Sequence, residues 1–549
     1  MNTADRFVAT LEHLGMDTFF GLPGSTEAAL LEALRASGRI RYVLGLHESA
    51  VVAMADGYAR ATGRVGVAGL HTTVGTMNGL SQLYNASRDG VPVLLTVGHK
   101  DRTVLAEDGF CALPDLPGLA RQFAKHSWQS LSSEAVPADL VRAHLAAATP
   151  PTGPAFLAIP DDLLAAPAPE HPGPLPGAAV LERWGAPDPA VVEALAGRLL
   201  RARRPRLVLG GAAASASAAA QELAQATGLG VLAADLTDLS CCSYPRDESH
   251  YLGVYGEEQA ALEGCDLLLA VGCRVFFPFS ARRRPELPPG AALVHLHPDP
   301  AELGKRSPTD LALVGEPGAW LRALAVACRA QERLNPSAAR REAELAPLQE
   351  HRRRRLASEV EAARGGDPVT VEEVAAELAP VLPRGTILVE EGVRASRAIF
   401  RHCGVPESGA IWRSSGGSLG WGLPAAVGAK LGAPERPVVL LVGDGSLHFS
   451  IQALWTAVQQ GAPLVAVVLD NRGYLAVKRA IENLLQLDQD PREHPGTELA
   501  GIDHVLAARA YGATGVRVRT AAEAAEAVEA ALAQGGVSVV EVPVAQIRP

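Results

Sequence analysis

The stretch VGDGSLHFSIQALWTAVQQGAPLVAVVLDNRGY, residues 442–474, decides how this chain is read. An apolar strand ends in Gly443-Asp444-Gly445-Ser446, a helical pattern follows, and a second apolar strand ends at Asp470 and Asn471. A helix start after a glycine turn offers free N–H groups and the positive end of the helix dipole, so it attracts anions. A carboxylate there would repel a phosphate. The arrangement makes sense if Asp444 holds a divalent cation that a diphosphate also binds, because Mg²⁺ is usually held by one or two protein oxygens plus phosphates. Asn471 offers a neutral amide oxygen. In a parallel sheet the C-terminal ends of neighbouring strands share one edge, so the two oxygens can converge. In a chain with 54 glycines a lone GDG reads as an ordinary turn. Its specificity comes from the order strand, GDGS, helix, strand, Asn, with Asn471 lying 27 residues after Asp444.

Outward from this stretch the same alternation recurs. The last block, from 368 to 549, carries the strand patterns GTILVEEG, PVVLLVGDG, PLVAVVLDN, GATGVRV and VSVVEVPV with helices between. The first block, 1–166, alternates TFFGLPG, RYVLGLH, VGVAGLH and VPVLLTVG with helical patterns such as ESAVVAMADGYARATG, and closes with GPAFLAIPDDL. A middle block, 187–335, has RPRLVLGG, GVLAAD, DLLLAVG and ALVHLHPD. Apolar strands alternating with amphipathic helices predict parallel sheets covered on both faces. The expected fold class is therefore α/β, with three doubly wound parallel-sheet domains. PAPEHPGPLPG, residues 167–177, reads as a semi-rigid linker, and Arg352 to Arg355 as a solvated helix face.

Composition narrows the function classes. The chain has 549 residues, 48% hydrophobic and 20% charged, which is the balance of a globular protein with several cores. A net charge of −10 argues against a nucleic-acid partner or an anionic membrane surface. The start, MNTADRFVATLEHLG, is amphipathic and acidic rather than a secretory leader, and no apolar run is long enough to span a membrane. The seven cysteines form no C-x-x-C pair and no zinc spacing, so reduced, mostly buried thiols and a cytoplasmic location are expected.

The GDG-to-Asn pattern resembles the thiamine-diphosphate motif. FGLPGSTE, ADGYA, GLHTTVGT, ALWTA and GIDHVLAARAYG extend the resemblance over nearly the whole chain. The chain is similar to the superfamily of thiamine-diphosphate decarboxylases and acetolactate synthases, and within it to the benzoylformate decarboxylase branch. That resemblance implies pyrimidine-binding, middle and diphosphate-binding domains, in that order. It implies thiamine diphosphate and Mg²⁺ as cofactors, with Asp444, Asn471 and the carbonyl of Gly473 as metal ligands. Gly443, Gly445, Ser446 and Tyr474 would line the cofactor. The family commonly has two adjacent asparagines where this chain has Asp470-Asn471, a departure beside the ligand rather than in it.

The same resemblance assigns candidate reaction residues. The cofactor needs one carboxyl group at its aminopyrimidine ring, and Glu48, where RYVLGLH meets the next helix, is the candidate; read alone, it is a charge favoured by the helix dipole. Leu419 would be the apolar wedge that bends the cofactor, or plain core. Ser25 would contact the substrate carboxylate, or cap the helix that follows. His71 would transfer protons, or be a structural strand-end histidine. A second active-site histidine of the branch is absent from Cys273 to Arg282, where Phe279 stands instead. His99 and Lys100 are expected at the surface, and Gly392 to Ser396 are further candidates for phosphate contacts. The implied activity is decarboxylation of a 2-oxo acid, with release of an aldehyde or its ligation to a second carbonyl. The alternatives are an acetolactate-synthase-like carboligase with structural FAD and a cofactor-free regulatory paralogue. The implied assembly is a dimer or tetramer with the cofactor between subunits.

Overall fold

The computed structural model describes residues 2–168, 185–242, 244–275, 277, 286–332, 337–404, 410–487 and 492–545. Three sheets organise them. The first runs, edge to edge, Arg41–Leu44, Thr18–Leu22, Gly66–His71, Val93–His99, Ala155–Pro160 and His126–Gln129, all parallel. The second runs Tyr251–Val254, Gly230–Ala233, Pro205–Leu209, Leu267–Val271, Ala292–His297 and Leu311–Val314, again parallel. The third runs Thr514–Arg517, Val537–Pro543, Leu464–Asp470, Val438–Gly443, Ile387–Glu391 and Ala410–Trp412, with Cys241–Cys242 added antiparallel at its edge. Central strands such as Val93–His99 and Leu464–Asp470 are buried along their whole length, which is why they read as unbroken apolar runs.

The fold class expected from the alternation is the one observed. Four strands escaped the sequence reading: His126–Gln129, Tyr251–Val254, Leu311–Val314 and Ala410–Trp412. All four are short, with three or four residues each, and lie at or next to a sheet edge. Cys241–Cys242 was missed for another reason. It is a segment between strands of the second sheet, yet it pairs with Ile411 and Trp412 of the third. The proline-rich stretch lies mostly outside the described residues, although Pro167 bridges to Asn2.

The helices Glu48–Thr62 and Gly422–Gly432 cross at backbone contact and join the first sheet's layer to the third's. A Cβ on Gly57 would sit 2.0 Å from the carbonyl oxygen of Ala425, and one on Gly428 would sit 1.9 Å from that of Met54. Only glycine permits this approach. Beside it, buried Arg60 pairs with Asp56 and Asp89 at 2.7 Å each and donates to the carbonyls of Ser240 and Arg413. One guanidinium thus ties together two helices and two loops.

The arginine run is half-solvated rather than solvated. Arg353 and Arg354 are exposed and pair with Glu350, whereas Arg352 and Arg355, one turn apart, face Glu258 at 3.6 and 2.6 Å. Helical spacing puts those two on the inner face, where Arg352 also lies over the Tyr251 ring. Of the seven cysteines, all are free and five are buried; Cys111 and Cys241 are half-buried.

Candidate active site

Two strand-end edges carry the candidate residues, and each lies at a point where its sheet's strand order reverses, the usual ligand crevice of an open α/β sheet. In the third sheet this point falls between Ile387–Glu391 and Val438–Gly443. Gly443 is extended, and Asp444 opens the four-residue helix Asp444–Leu447. Asp444 is 2% exposed, and its Oδ2 accepts the N–H of Gly473 at 3.0 Å. Burial, aided by neighbouring Asp470, pushes its pKa up to about 6, despite the N–H groups of Gly445 and Gly473. A cation beside it would favour its ionised form.

Asn471 stands across from it, on the turn after Leu464–Asp470. Its Oδ1 is buried and has no hydrogen-bond partner among the described residues. Arg472 takes a left-handed φ of +57° that turns the chain at this point, and the Gly473 carbonyl accepts from the N–H of Leu475 with one lone pair left over. Gly445 and Gly473 are required by space: a Cβ would lie 2.7 Å from the Tyr474 ring on the first, and 2.4 Å from the Thr497 carbonyl oxygen on the second. Ser446 is buried beside them, and Tyr474 is half-buried. A raised carboxylate, an orphaned amide oxygen and a backbone carbonyl form an all-oxygen donor set, which fits Mg²⁺ and a diphosphate. Asp470, the departure noted above, turns away: it gathers with His504 and Glu541, and Arg517 holds Glu541 at 2.9 and 3.1 Å.

In the first sheet the reversal lies between Thr18–Leu22 and Gly66–His71, which places the loop Gly24–Glu27 against His71. The contact is close enough that a Cβ on Gly24 would overlap the imidazole at 2.2 Å. Ser25 does not cap the helix. Gly24 occupies the cap of the short turn Ser25–Glu27, and the Glu27 carboxylate accepts the Gly24 N–H at 2.7 Å. Ser25 is exposed. His71 Nδ1 lies 2.8 Å from Thr26 Oγ1 and 3.3 Å from Glu27 Oε2. Thr26 and Glu27 are both buried, and reading the sequence assigned neither to His71. No local signal marks them, because the contact spans 45 residues.

Glu48 begins its helix, and His47, not Glu48, supplies the cap by accepting the Ser49 N–H. Glu48 is half-buried, with Oε2 accepting from Asn78 Nδ2 at 3.1 Å. Leu46, Val74 and Met77 around it are exposed apolar side chains. Leu419 is half-buried in a loop whose backbone is held from the first domain: Gln82 donates to the Leu419 carbonyl and Asn85 to that of Ser418. Exposed Phe449 and Val393 lie on this third-domain side.

Other expectations are corrected. His99 is fully buried rather than at the surface, because it ends the central strand; its Nδ1 meets Gln129 Oε1 at 2.9 Å. Lys100 is half-buried. Ser396 points inward and donates to Glu390 Oε1 at 2.6 Å, which removes it from the phosphate candidates. Phe279 lies outside the described residues.

The fold matches that of a solved thiamine diphosphate-dependent enzyme. Three models of the thiamine pyrophosphate enzymes match in order: the N-terminal TPP binding domain at residues 1–117, the central domain at 192–324, and the C-terminal TPP binding domain at 395–542. The chain belongs to this family. It is 35% identical to a benzoylformate decarboxylase of Pseudomonas aeruginosa, over 98% of each chain. It is 29% identical to an acetolactate synthase large subunit of Haemophilus influenzae, over 95% of this chain and 90% of that one. Among solved structures, the thiamine diphosphate-dependent 4-hydroxybenzoylformate decarboxylase of Rhodococcus jostii superposes with a TM-score of 0.87 at 30% identity, over the full length of both chains.

Proposed function

We propose that this enzyme decarboxylates an aryl or other bulky 2-oxo acid, releasing the aldehyde or ligating it to a second carbonyl. The observation that carries the reading is the donor set at the third sheet's edge, where Asp444 is desolvated and Asn471 Oδ1 has no partner. Asp444, Asn471 and the Gly473 carbonyl would hold Mg²⁺, with Gly443, Gly445, Ser446 and Tyr474 around the diphosphate. Thiamine diphosphate, when bound, supplies the carbon nucleophile and the electron sink on which a 2-oxo acid loses CO₂. Glu48 would hold a proton at the aminopyrimidine, and Leu419 would fix the bend of the cofactor. Ser25, which is exposed, would orient the substrate carboxylate through its hydroxyl. His71 would hold and move a proton at Nε2.

The apolar rims around Glu48 and beside Asp444 are both exposed in the single chain, which supports a homodimer or tetramer with each site shared between two copies. No described helix is long and apolar enough to cross a membrane, and seven free thiols support a cytoplasmic location. The acetolactate-synthase-like alternative would place FAD in the middle domain. The pocket there is lined by Asp235, Tyr255 and Phe277 and by the Arg274–Asp238 ion pair. Flavin absorbance of the purified protein tests it.

A panel of 2-oxo acids, including benzoylformate and pyruvate, supplied with thiamine diphosphate and Mg²⁺, should show CO₂ release greatest for an aryl substrate. Chromatography identifies the carbon products. Absence of CO₂ release across the panel rules the proposal out, and a preference for pyruvate with acetolactate as product turns it to the alternative.

A further inference from the structure

We propose that Glu27, acting with Thr26, is a positioning residue that fixes the tautomer of His71, holding Nδ1 protonated and leaving Nε2 as the working nitrogen. The inference rests on the reading of His71 as a proton-transfer group, but its geometry stands independently.

Thr26 Oγ1 has one hydrogen and three neighbours that could take it. Glu27 Oε1 and His71 Nδ1 are each 2.8 Å away, and the Gly98 carbonyl is 3.1 Å away. The carboxylate and the carbonyl have no hydrogen of their own. Thr26 and Glu27 are 1% and 4% exposed, so no solvent replaces a missing donor. An unmet acceptor in such a place costs about 1–3 kcal/mol. The hydroxyl therefore donates to Glu27 or Gly98, and its lone pair faces Nδ1. Only an Nδ1–H completes that set, and its second acceptor is Glu27 Oε2 at 3.3 Å. Glu27 is itself held rigidly, because Oε2 also takes the Gly24 N–H at 2.7 Å.

The surrounding glycines show that the arrangement is built in. A Cβ on Gly24 would overlap the imidazole, and one on Gly98 would lie 2.1 Å from Glu27 Oε1. The loop after one strand, the end of the next and the end of a third are thus pressed onto a single carboxylate. His71 remains 28% exposed in its side chain, and its Nε2 has no hydrogen bond among the described residues. When Nε2 takes a proton, the positive charge spreads over a ring whose other nitrogen already faces an anion. When Nε2 gives the proton up, Nδ1 keeps its own. The orienting role parallels that of the carboxylate in a Ser-His-Asp triad.

The test uses the holoenzyme with ¹⁵N-histidine labelling, and the His71 signal is assigned by its loss in His71→Asn. Under mildly alkaline conditions the wild type should show the Nδ1–H tautomer. In Glu27→Gln the amide can donate to Thr26, which frees the hydroxyl to donate to Nδ1. A population of the Nε2–H tautomer should then appear, with kcat reduced at least about tenfold and KM changed less than about threefold. Thiamine diphosphate affinity should be unchanged. Thr26→Ser should behave as wild type in both readouts, and it serves as the control if Glu27→Gln folds poorly, with Thr26→Val as the disrupting partner. A wild-type tautomer that is already Nε2–H overturns the proposal, as does an unchanged tautomer in both Glu27→Gln and Thr26→Val. The tautomer readout needs no turnover. If His71→Ala keeps full decarboxylase activity while Glu27→Gln still switches the tautomer, the reaction role of His71 falls and the positioning role stands.

Discussion

The N–H of Gly473 donates to Asp444 Oδ2 at 3.0 Å, so the turn that ends one strand is stitched to the turn that ends its neighbour. This bond holds Asp444 against the turn that carries Asn471 and Gly473. Asp444→Ala should therefore abolish binding of thiamine diphosphate in the presence of Mg²⁺, because the diphosphate would lose its neutralising cation. Calorimetric titration measures this, and unchanged affinity in the variant rules out the metal assignment.

The same carboxyl predicts a pH dependence. Its pKa is raised by burial from 3.8 to about 6 in the protein without cofactor. A carboxyl must lose its proton to ligate a cation, so Mg²⁺-dependent cofactor affinity should fall roughly tenfold per pH unit below that value. Stability of the apoprotein runs the other way. The contribution of protonated Asp444 is full below the unfolded pKa and is lost as pH rises through about 6. Melting curves of the apoprotein from pH 4 to 8 should therefore fall less steeply in Asp444→Asn.

Glu48→Gln should bind the cofactor normally but lose at least about 10²-fold in turnover, the low end for loss of a general acid–base group. Full activity would leave Glu48 as a helix-start charge only. If Glu48 and Asp444 serve one cofactor from different subunits, mixing Glu48→Gln with Asp444→Ala chains should restore part of the activity, because one hybrid site receives both intact halves. A fully active monomer on sedimentation contradicts the shared site.

Arg60→Met tests the knot between the outer domains. The substitution keeps most of the volume but leaves Asp56 and Asp89 buried without their partner. Breaking a buried ion pair on one side typically costs about 3–5 kcal/mol, so denaturant midpoints should drop sharply. A variant as stable as wild type would mean that the Ser415 and Trp421 donors on Asp89 and Asp56 are sufficient alone.

What the sequence determined by itself was everything with a local or periodic cause. Apolar strands such as VVLLVG and LVAVVLD are legible because burial on both faces removes polar residues from them. The GDGS turn and Asn471 were legible because a strand–helix–strand unit has a fixed length, so the spacing of two strand ends survives in the chain. Edge strands such as His126–Gln129 and Leu311–Val314 left no such trace. The tertiary structure alone decided which side chains meet. It put Gly24, not Ser25, in the cap, buried His99 in a central strand, and turned Arg352 and Arg355 inward. It sent Cys241–Cys242 to another domain's sheet and set Glu27 and Thr26 on the far nitrogen of His71. All but the cap, whose Gly24–Glu27 bond is local, depend on contacts between segments far apart in the chain. Such contacts are chosen by packing and by the need to satisfy buried polar atoms, and neither leaves a period in the sequence.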